Sequence, residues 1–413
     1  MIMKIIALFI TCLFFVNTYS QNITNYTTTN GLLDNYVECI DIDINDNIWF
    51  GTLNGVQMYD GVNWVTYNQA TFPGLLSDNI KCIKATSNGQ VWVGTDYGAN
   101  QLISGVSGYM WVPYTTTNGL NSNEVKSIDE DVNGEIWIGT DQGVSHYDGA
   151  SWVSYSSPDL HWSGVNSTDF DSNGDKWFSS PLGGITHFDG ASFTTYNTSI
   201  GLLSQNTTKI IIDNLDNKWI GSGSGISVLN NTNNYVTNYT KMYLMPPPDT
   251  LNPVVDLSID SYNNLWAAIY VGYLGEGGVA MYDGSNWIDY DVSDGLVGKN
   301  IKGLSIDSQD NVWVATTSGV SKISTTITNI NNYNNQKLIV YPNPSKDMIN
   351  IAIESEPNIV TDINIYNIMG QKLSNHTLKN NKTSLDISSL KKGVYYIRTN
   401  NKAYSLSKNF IVK

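Results

Sequence analysis

One tryptophan recurs along most of this chain at intervals of 40 to 47 residues, and this spacing limits the folds that the chain can adopt. It stands in the string Ile/Val-Trp-Ile/Val-Gly-Thr or in a decayed form of that string. Six of the seven copies have an aspartate six positions earlier, and all seven have Asp, Asn or Gly three positions earlier, where a turn is expected. The repeated residues are Trp49, Trp92, Trp137, Trp177, Trp219, Trp266 and Trp313.

Each repeat unit reads as four short strands. In the first unit an alternating run at 37–43 leads through a turn into 48–52, then into a glycine-led strand at 55–59 and an aromatic strand with Trp64 and Tyr67. A unit of this size cannot bury both of its faces alone, so neighbouring units must stack. Only 14% of the residues are charged and 11% are aromatic, which also suits strands and turns. The pattern predicts an all-β chain with a seven-bladed β-propeller over residues 21–324.

A repeated string indicates how the ring closes. YTTTNGL occurs at residues 26–32 and again at 114–120, where it ends a fourth strand and enters the next unit. The first copy therefore ends a fourth strand that has no preceding partners, whereas the last unit, 301–324, has only three strands. We expect residues 23–26 to complete that last blade. The similar string at 327–330 is a competitor for the same position.

These units resemble the two-component-regulator propeller repeat. In that family the propeller commonly forms the extracytoplasmic sensor domain of a membrane-bound histidine kinase. The resemblance implies the propeller fold over residues 22–324. The sequence shows neither a kinase nor a transmembrane segment in the mature chain, so we do not expect the sensor role to transfer.

The chain changes character near residue 325. Residues 325–413 hold 11 of the 22 Lys and Arg but 5 of the 37 Asp and Glu, so this part is basic and the main body strongly acidic. The Asn-rich stretch within 325–337 predicts a linker. Beyond it, alternating strands separated by Gly, Asn and Ser predict a small Ig-like β-sandwich at 338–413.

The strings of this C-terminal part resemble the type A sorting domain of the type IX (Por) secretion system. The resemblance implies translocation across the outer membrane, removal of the domain, and either release or attachment at the cell surface. It also implies the secretion machinery as a partner. The residues that carry it are Tyr341, Pro342, Asn343, Pro344, Gly370, Gly393 and Tyr395.

The first 20 residues are typical of a secretory signal peptide. Lys4 precedes a mostly apolar run at 5–16, and Thr18 and Ser20 suit a cut before Gln21. A run of this length is too short to span a bilayer, which takes roughly 20 residues. The acidic main body would repel phosphates, so we expect no nucleic-acid partner.

Histidines and cysteines offer little chemistry in this sequence. His146 and His187 hold matched places in neighbouring units, but methionine fills the same place in units one and six, which favours packing. Both histidines lie on strands and lack a partnered motif. Cys39 and Cys82 are predicted to be two buried thiols.

Two turns resemble the front half of a calcium-binding loop. Their Asp-x-Asp-x-Asn-Gly strings lack the bidentate glutamate expected at position 12, where Thr140 and Ser180 stand. Turn geometry alone explains Asp and Gly there, so calcium stays an open alternative to no cofactor at all. The candidate ligands are Asp129, Asp131, Asn133, Asp169, Asp171 and Asn173.

The longest connections predict a ligand-binding rim. The loops at 241–253 and 269–278 should emerge side by side at blade six, and the loop into blade four places an aromatic across the ring. Aromatics beside carboxylates suit stacking on sugar rings or anchoring a protein; packing of the loops on each other is the alternative. The candidate ligand-binding residues are Trp162, Tyr243, Tyr270, Tyr273 and Glu276.

The sequence therefore favours a secreted or cell-surface, non-enzymatic binding propeller with a glycan as the first ligand to test. Two alternatives remain. A polysaccharide lyase or hydrolase would need an acid/base pair at the channel mouth, for which Glu276 with His161 or an inner-strand aspartate is the candidate. A protein-interaction or adhesion scaffold would show a broad aromatic patch without sugar affinity.

Overall fold

The computed structural model describes residues 22–105, 108–243, 252–324, 337–354, 361–367, 372–378, 382–400 and 405–413. Contacts divide the chain into two compact units, Met1–Thr326 and Ile327–Lys413. The first unit contains seven four-stranded antiparallel sheets, which are the blades of a propeller. The predicted all-β, seven-bladed fold is confirmed.

The strands follow one another in a fixed order within each blade. The N-terminal strand is β1 (Asn22–Tyr26). Blade one contains β2 (Val37–Ile42), β3 (Ile48–Thr52), β4 (Gly55–Tyr59) and β5 (Trp64–Tyr67). Blade two contains β6 (Cys82–Ala85), β7 (Val91–Thr95), β8 (Gly98–Gly105) and β9 (Gly108–Tyr114). Blade three contains β10 (Val125–Glu130), β11 (Ile136–Thr140), β12 (Gly143–Tyr147) and β13 (Trp152–Tyr155).

The remaining blades repeat this order. Blade four contains β14 (Ser167–Phe170), β15 (Lys176–Ser180), β16 (Gly184–Phe188) and β17 (Phe193–Tyr196). Blade five contains β18 (Thr207–Ile212), β19 (Lys218–Ser222), β20 (Gly225–Leu229) and β21 (Tyr235–Tyr239). Blade six contains β22 (Val254–Ile259), β23 (Leu265–Val271), β24 (Glu276–Tyr282) and β25 (Trp287–Tyr290). Blade seven contains β26 (Ile301–Ile306), β27 (Val312–Thr316) and β28 (Gly319–Ser324). Two short 3-10 helices, Thr28–Asn30 and Thr198–Ile200, lie in connections between blades.

The N-terminal strand closes the ring as predicted. β1 pairs antiparallel with β28, with Asn22 opposite Ser324 and Tyr26 opposite Val320, and so supplies the fourth strand of blade seven. The competing string at 327–330 lies outside the described residues. The ring of Tyr26 stacks on Trp313 at a centroid distance of 5.4 Å. This repeats the contact that a fourth-strand tyrosine makes with the repeat tryptophan in every other blade, at 5.0–6.1 Å.

The spacing between aspartate and tryptophan has a direct structural cause. In six blades the aspartate Oδ2 accepts a hydrogen bond from the indole Nε1 at 3.0–3.3 Å, while its Oδ1 accepts backbone N–H groups of the turn. One carboxylate thus shapes the turn between the first two strands and satisfies an indole that is packed inside the blade.

Serine side chains join neighbouring blades at the turns between first and second strands. The backbone N–H of Ser308 in blade seven donates to Asp46 of blade one at 3.0 Å, and its hydroxyl donates to the same carboxylate. Ser172 makes the same pair of bonds to Asp216 of blade five. The bonds that close the ring are therefore of the kind used between adjacent blades.

The second unit contains two antiparallel sheets around its own hydrophobic core. One sheet has the order β29-β30-β33 and the other β32-β31-β34-β35, as expected for a small sandwich. Its strands are β29 (Lys337–Tyr341), β30 (Met348–Glu354), β31 (Thr361–Tyr366), β32 (Lys372–Leu378), β33 (Lys382–Asp386), β34 (Gly393–Asn400) and β35 (Ser405–Val412).

The motif residues of this unit contact its last strand. Tyr341 ends β29, and the Asn343 amide accepts from the Ile411 N–H at 2.9 Å and donates to the Asn409 carbonyl at 3.2 Å. Tyr395 is buried, and its hydroxyl donates to the Lys391 carbonyl at 2.7 Å. Pro342 and Pro344 flank the asparagine and Gly393 begins β34, whereas Gly370 lies outside the described residues.

Candidate functional site

Two kinds of connection meet on one face of the propeller, which we call the loop face. Within blade one, Asn54 in the turn between second and third strands donates to Asp34 in the incoming loop at 2.7 Å. In blade three, Asn121 donates to the Gln142 carbonyl at 2.6 Å across the same pair of connections. Each blade therefore presents its incoming loop and its second-to-third turn side by side.

The predicted long loop of blade six is instead an extended hairpin. Residues 269–278 fall mostly in β23 and β24, which pair without interruption from Leu265 opposite Tyr282 to Val271 opposite Glu276. Only the turn 272–275 lies outside the strands. Tyr273 is at the tip of this turn with 72% of its surface exposed, so this ring is available to a ligand.

The expectation of an exposed ring at Tyr243 is wrong. Only 6% of this residue is exposed, and its hydroxyl donates to the Gly277 carbonyl at 3.2 Å. It packs in the core between blades five and six. Burial raises the pKa of its hydroxyl. Tyr270, on β23, is half-buried, and the rest of the incoming loop, 244–251, lies outside the described residues.

The two residues nominated as an acid/base pair occupy different blades. Glu276 is the first residue of β24 in blade six, and it forms an ion pair with Lys299 at 2.7 Å. His161 is exposed in the loop that enters blade four. Its neighbour Trp162 has 46% of its surface exposed and packs beside the turn at Gly183. The structure keeps Trp162 as a candidate ligand-binding residue, and it does not bring His161 to Glu276.

Sequence reasoning missed a further aromatic residue on the loop face. Tyr97, in the second-to-third turn of blade two, is 64% exposed, and Leu182 occupies the corresponding turn of blade four beside Trp162. The sequence does contain a signal for these exposed side chains. An aromatic residue or leucine just before the glycine of a tight turn cannot be buried in its own blade. Exposed rings therefore stand on blades two, four and six.

The first strands of all seven blades line a central channel with a cavity of about 450 Å³. Its wall carries charged side chains that the sequence analysis did not single out. Asp41 forms an ion pair with Lys84 at 3.5 Å, and Lys209 with Asp256 at 3.4 Å. Each of these charged residues stands eight or ten positions before the repeat tryptophan of its blade. This fixed spacing is the sequence signal for the charged residues of the channel wall.

Two further carboxylates in the channel have no ion pair within 4.0 Å among the described side chains. Asp129 accepts from the Thr168 N–H at 3.2 Å, and Asp169 from the Ile212 N–H at 2.7 Å, so each also links its blade to the next. Burial raises the pKa of Asp169 to about 7, and the charge of Asp129 adds to this shift. Burial also raises the pKa of Asp129, opposed by Lys209 and Lys84. Asp169 can therefore exchange a proton near neutral pH.

The predicted calcium ligands do not form one set. Asp129 and Asp169 line the channel, whereas Asp131 and Asp171 bind the indole and turn N–H groups of their own blades. The backbone N–H groups of Asn133 and Asn173 donate to these last two aspartates. The two aspartates of each string therefore lie in different surroundings, and calcium binding by these turns stays a prediction.

The matched histidines have carboxylate partners, contrary to expectation. His146 stacks on Trp137 and His187 on Trp177, each at 4.3 Å, as packing residues would. In addition, His146 Nε2 lies 2.7 Å from Glu135 Oε2, and His187 Nε2 lies 2.8 Å from Asp175 Oδ2.

Cys39 and Cys82 are free thiols. Burial raises the pKa of both Cys39 and Cys82, so neither is a reactive thiolate at neutral pH.

Comparisons with known sequence families agree with both units. The family described as two component regulator propeller matches residues 74–97 and 119–142. The family described as secretion system C-terminal sorting domain matches residues 339–413. The chain carries two-component-regulator propeller repeats and a type IX sorting domain. The sorting domain directs export by type IX secretion to the cell surface. No curated protein matches the chain.

Solved structures share the fold. The extracellular domain of a protein described as a hybrid two-component system, BT3049 from B. thetaiotaomicron, is 19% identical with a TM-score of 0.62 over 95% of this chain and 57% of that one. PorZ, a surface component of the type IX secretion system of Porphyromonas gingivalis, is 19% identical with a TM-score of 0.57 over 92% and 60%. Virginiamycin B lyase from Staphylococcus aureus is 14% identical with a TM-score of 0.58 over 73% and 99%.

This chain spans less than two thirds of the length of the first two structures. At these identities the likeness establishes the fold alone. Within the described residues, no helix is long and apolar enough to cross a membrane.

Proposed function

We propose that this surface propeller is a non-enzymatic module that binds a carbohydrate at its loop face. The observation that carries the proposal is the set of exposed rings at Tyr97, Trp162 and Tyr273 on that face. A sugar ring presents C–H groups that stack on aromatic faces, and tyrosine and tryptophan do so at a small cost in conformational entropy. Hydroxyl groups of the same ligand would bond to the charged side chains of the channel wall.

A glycan array with the secreted chain tests this proposal. The face variants are Tyr97→Ala, Trp162→Ala and Tyr273→Ala, and the control is Tyr262→Ala. Tyr262 is 75% exposed but lies in the turn between first and second strands of blade six, away from the loop face. We expect each face variant to weaken binding about tenfold and the control to bind as the parent does. Glycan binding that survives the triple face variant would refute the site, and silence across the array would favour a protein partner.

A second candidate function, polysaccharide cleavage, is favoured by one observation. Asp169, with a pKa raised to about 7, is suited to general acid or base work at neutral pH and lies in the channel with Asp129. The test is product formation from any glycan that binds. Cleavage that is lost in Asp169→Asn while binding persists would establish an enzyme, whereas binding without products supports the non-enzymatic module.

A further inference from the structure

The seven blades can be compared at the side chains that surround the repeat aspartate. In blades one, five, six and seven an asparagine two positions before the tryptophan donates its amide to the aspartate Oδ2 at 2.8–2.9 Å. On the third strand, the residue opposite the tryptophan is methionine in blades one and six. In blades one, five and six this arrangement satisfies the aspartate with neutral donors, whereas in blade seven the Lys322 Nζ also lies 3.6 Å from the Asp307 Oδ2. The asparagines are Asn47, Asn217, Asn264 and Asn311.

Blades three and four replace this amide with a second carboxylate. Glu135 and Asp175 stand where the asparagine is, and the residue opposite the tryptophan is then histidine. In blade three the ligand atoms of Asp131, Glu135 and His146 all lie within 4.8 Å of one another, and the matching atoms of blade four do so too. Two carboxylates this close repel each other when both are ionised, and a cation beside them would relieve that repulsion.

We propose that the blade-three triad, Asp131, Glu135 and His146, binds a divalent transition metal ion such as Zn²⁺. One imidazole nitrogen with two carboxylate oxygens is a donor set that suits zinc, at ligand distances of about 2.0–2.2 Å. Three protein ligands leave further positions for water. The histidine ring is already fixed by its stacking on Trp137 at 4.3 Å, and Glu135 is one-third exposed, so its carboxylate has room to adjust to the ion.

The blade-four triad offers an internal contrast, because a buried lysine from blade five already lies beside its aspartate. The Lys218 Nζ lies 3.9 Å from the Asp171 Oδ2 and 4.8 Å from the Trp177 ring centroid, and its side chain is only 1% exposed. In blade three the corresponding lysine, Lys176, lies 5.4 Å from the Trp137 centroid. No described lysine approaches the Asp131 carboxylate within 4.0 Å. We therefore expect the blade-four triad to bind metal more weakly than the blade-three triad.

This site is independent of the proposed carbohydrate site, since its carboxylates come from the turns between first and second strands rather than from the loop face. The competing explanation is a plain ion pair between a protonated histidine and a carboxylate. The two explanations differ in whether a metal ion binds at all.

The experiment is a zinc titration of the full chain, produced without a histidine tag and dialysed against chelator, by isothermal calorimetry. The test variant is Glu135→Asn with His146→Met, which copies the neutral arrangement of blades one and six. The matched control is Asp175→Asn with His187→Met in blade four. We expect about one Zn²⁺ per parent chain, a loss of at least tenfold in affinity in the test variant, and little change of the tight site in the control.

Co²⁺ absorption gives a second readout, because Co²⁺ in a four- or five-coordinate protein site has stronger visible bands than hydrated Co²⁺, and these bands should vanish with His146→Gln alone. Absence of zinc binding by the parent chain would overturn the proposal and leave an ion pair. Equal losses in the test and control variants would overturn the assignment to blade three. If the double variant fails to fold by circular dichroism, the single His146→Gln variant decides between the same outcomes.

Discussion

The indole N–H of Trp92 is buried and has no hydrogen-bond acceptor in the described chain, whereas the other six repeat tryptophans each donate to an aspartate. The cause is Thr86, which stands at the aspartate position of blade two. Its hydroxyl reaches the Gln90 carbonyl at 2.9 Å but not the indole. Leaving a buried donor unpaired costs about 1–3 kcal/mol.

We predict that Thr86→Asp stabilises the propeller by about 1 kcal/mol, because the carboxylate gives Trp92 its missing acceptor. The reverse change in blade five, Asp213→Thr, should destabilise it by a similar or larger amount. Urea unfolding monitored by tryptophan fluorescence measures both. A Thr86→Asp chain no more stable than its parent would show that the unpaired indole costs nothing in this blade.

Asp169 makes a pH-dependent contribution whose sign follows from its raised pKa of about 7. An unfolded aspartate has a pKa of about 3.9, so between these values the folded chain holds the proton more tightly. The stability contributed by this group therefore falls as the pH rises from about 4 to 7 and stays low above that.

We predict that Asp169→Asn raises the free energy of unfolding at pH 8 by about 1 kcal/mol or more, and that this gain shrinks towards pH 5. Urea unfolding at the two pH values measures it. The asparagine oxygen can still accept from the Ile212 N–H, which keeps the link between blades, although the bond from the Phe170 N–H is then lost. The control Asp256→Asn removes the partner of Lys209 and should lower stability at pH 8. A gain for Asp169→Asn of equal size at both pH values would contradict the prediction.

At the scale of elements, the repeated string YTTTNGL has a structural cause. Both copies make the same local bonds: the third residue's N–H (Thr28, Thr116) bonds to an asparagine seven residues later, at 2.8 Å in each copy. Gly31 and Gly119 adopt φ of 109° and 125°, which other residues rarely reach. Closure by β1 was predictable because this signature marks the end of a fourth strand wherever it occurs.

The blade-six hairpin was not predictable from the same kind of pattern. The glycines in 272–278 suggest a loop, but Gly277 and Gly278 lie within β24. A Cβ on Gly278 would come 2.4 Å from the Tyr243 ring, so this glycine makes room for a buried tyrosine that approaches from the preceding loop. The ion pairs of the channel wall were missed for a similar reason, since ring closure decides which polar side chains of the first strands come together.

We predict that Gly278→Ala destabilises the propeller by about 1–3 kcal/mol, because the methyl group collides with both Tyr243 and the Tyr290 carbonyl at 2.4 Å. The control is Gly272→Ala in the turn of the same hairpin, where the nearest atom would be 3.8 Å away and the change should be within about 0.5 kcal/mol. Thermal unfolding of the two variants measures the contrast. Equal losses of stability in the two variants would mean that the close approach of Tyr243 is not the reason for a glycine at position 278.

At the scale of the whole molecule, the chain consists of two units with separate hydrophobic cores. The core of the second unit is formed by residues such as Ile349, Ile363 and Phe410, whereas the propeller clusters lie between its own blades. The two units also differ in charge, since the propeller is acidic and the sorting domain basic. Because each unit has its own core, we expect the propeller to remain folded without the sorting domain.

We predict that calorimetry of the full chain shows two transitions, and that a chain ending at residue 324 loses the smaller one while keeping the propeller's unfolding temperature within about 2 °C. The ring explains why, since the fourth strand of its last blade is β1. Removing residues 22–26 from the shortened chain should lower the unfolding temperature by several degrees, because β28 then loses its partner and Trp313 its stacked tyrosine. If truncation at 324 alone destabilised the propeller as much as loss of β1 does, residues after 324 would contribute to the stability of the ring, and the prediction would be wrong.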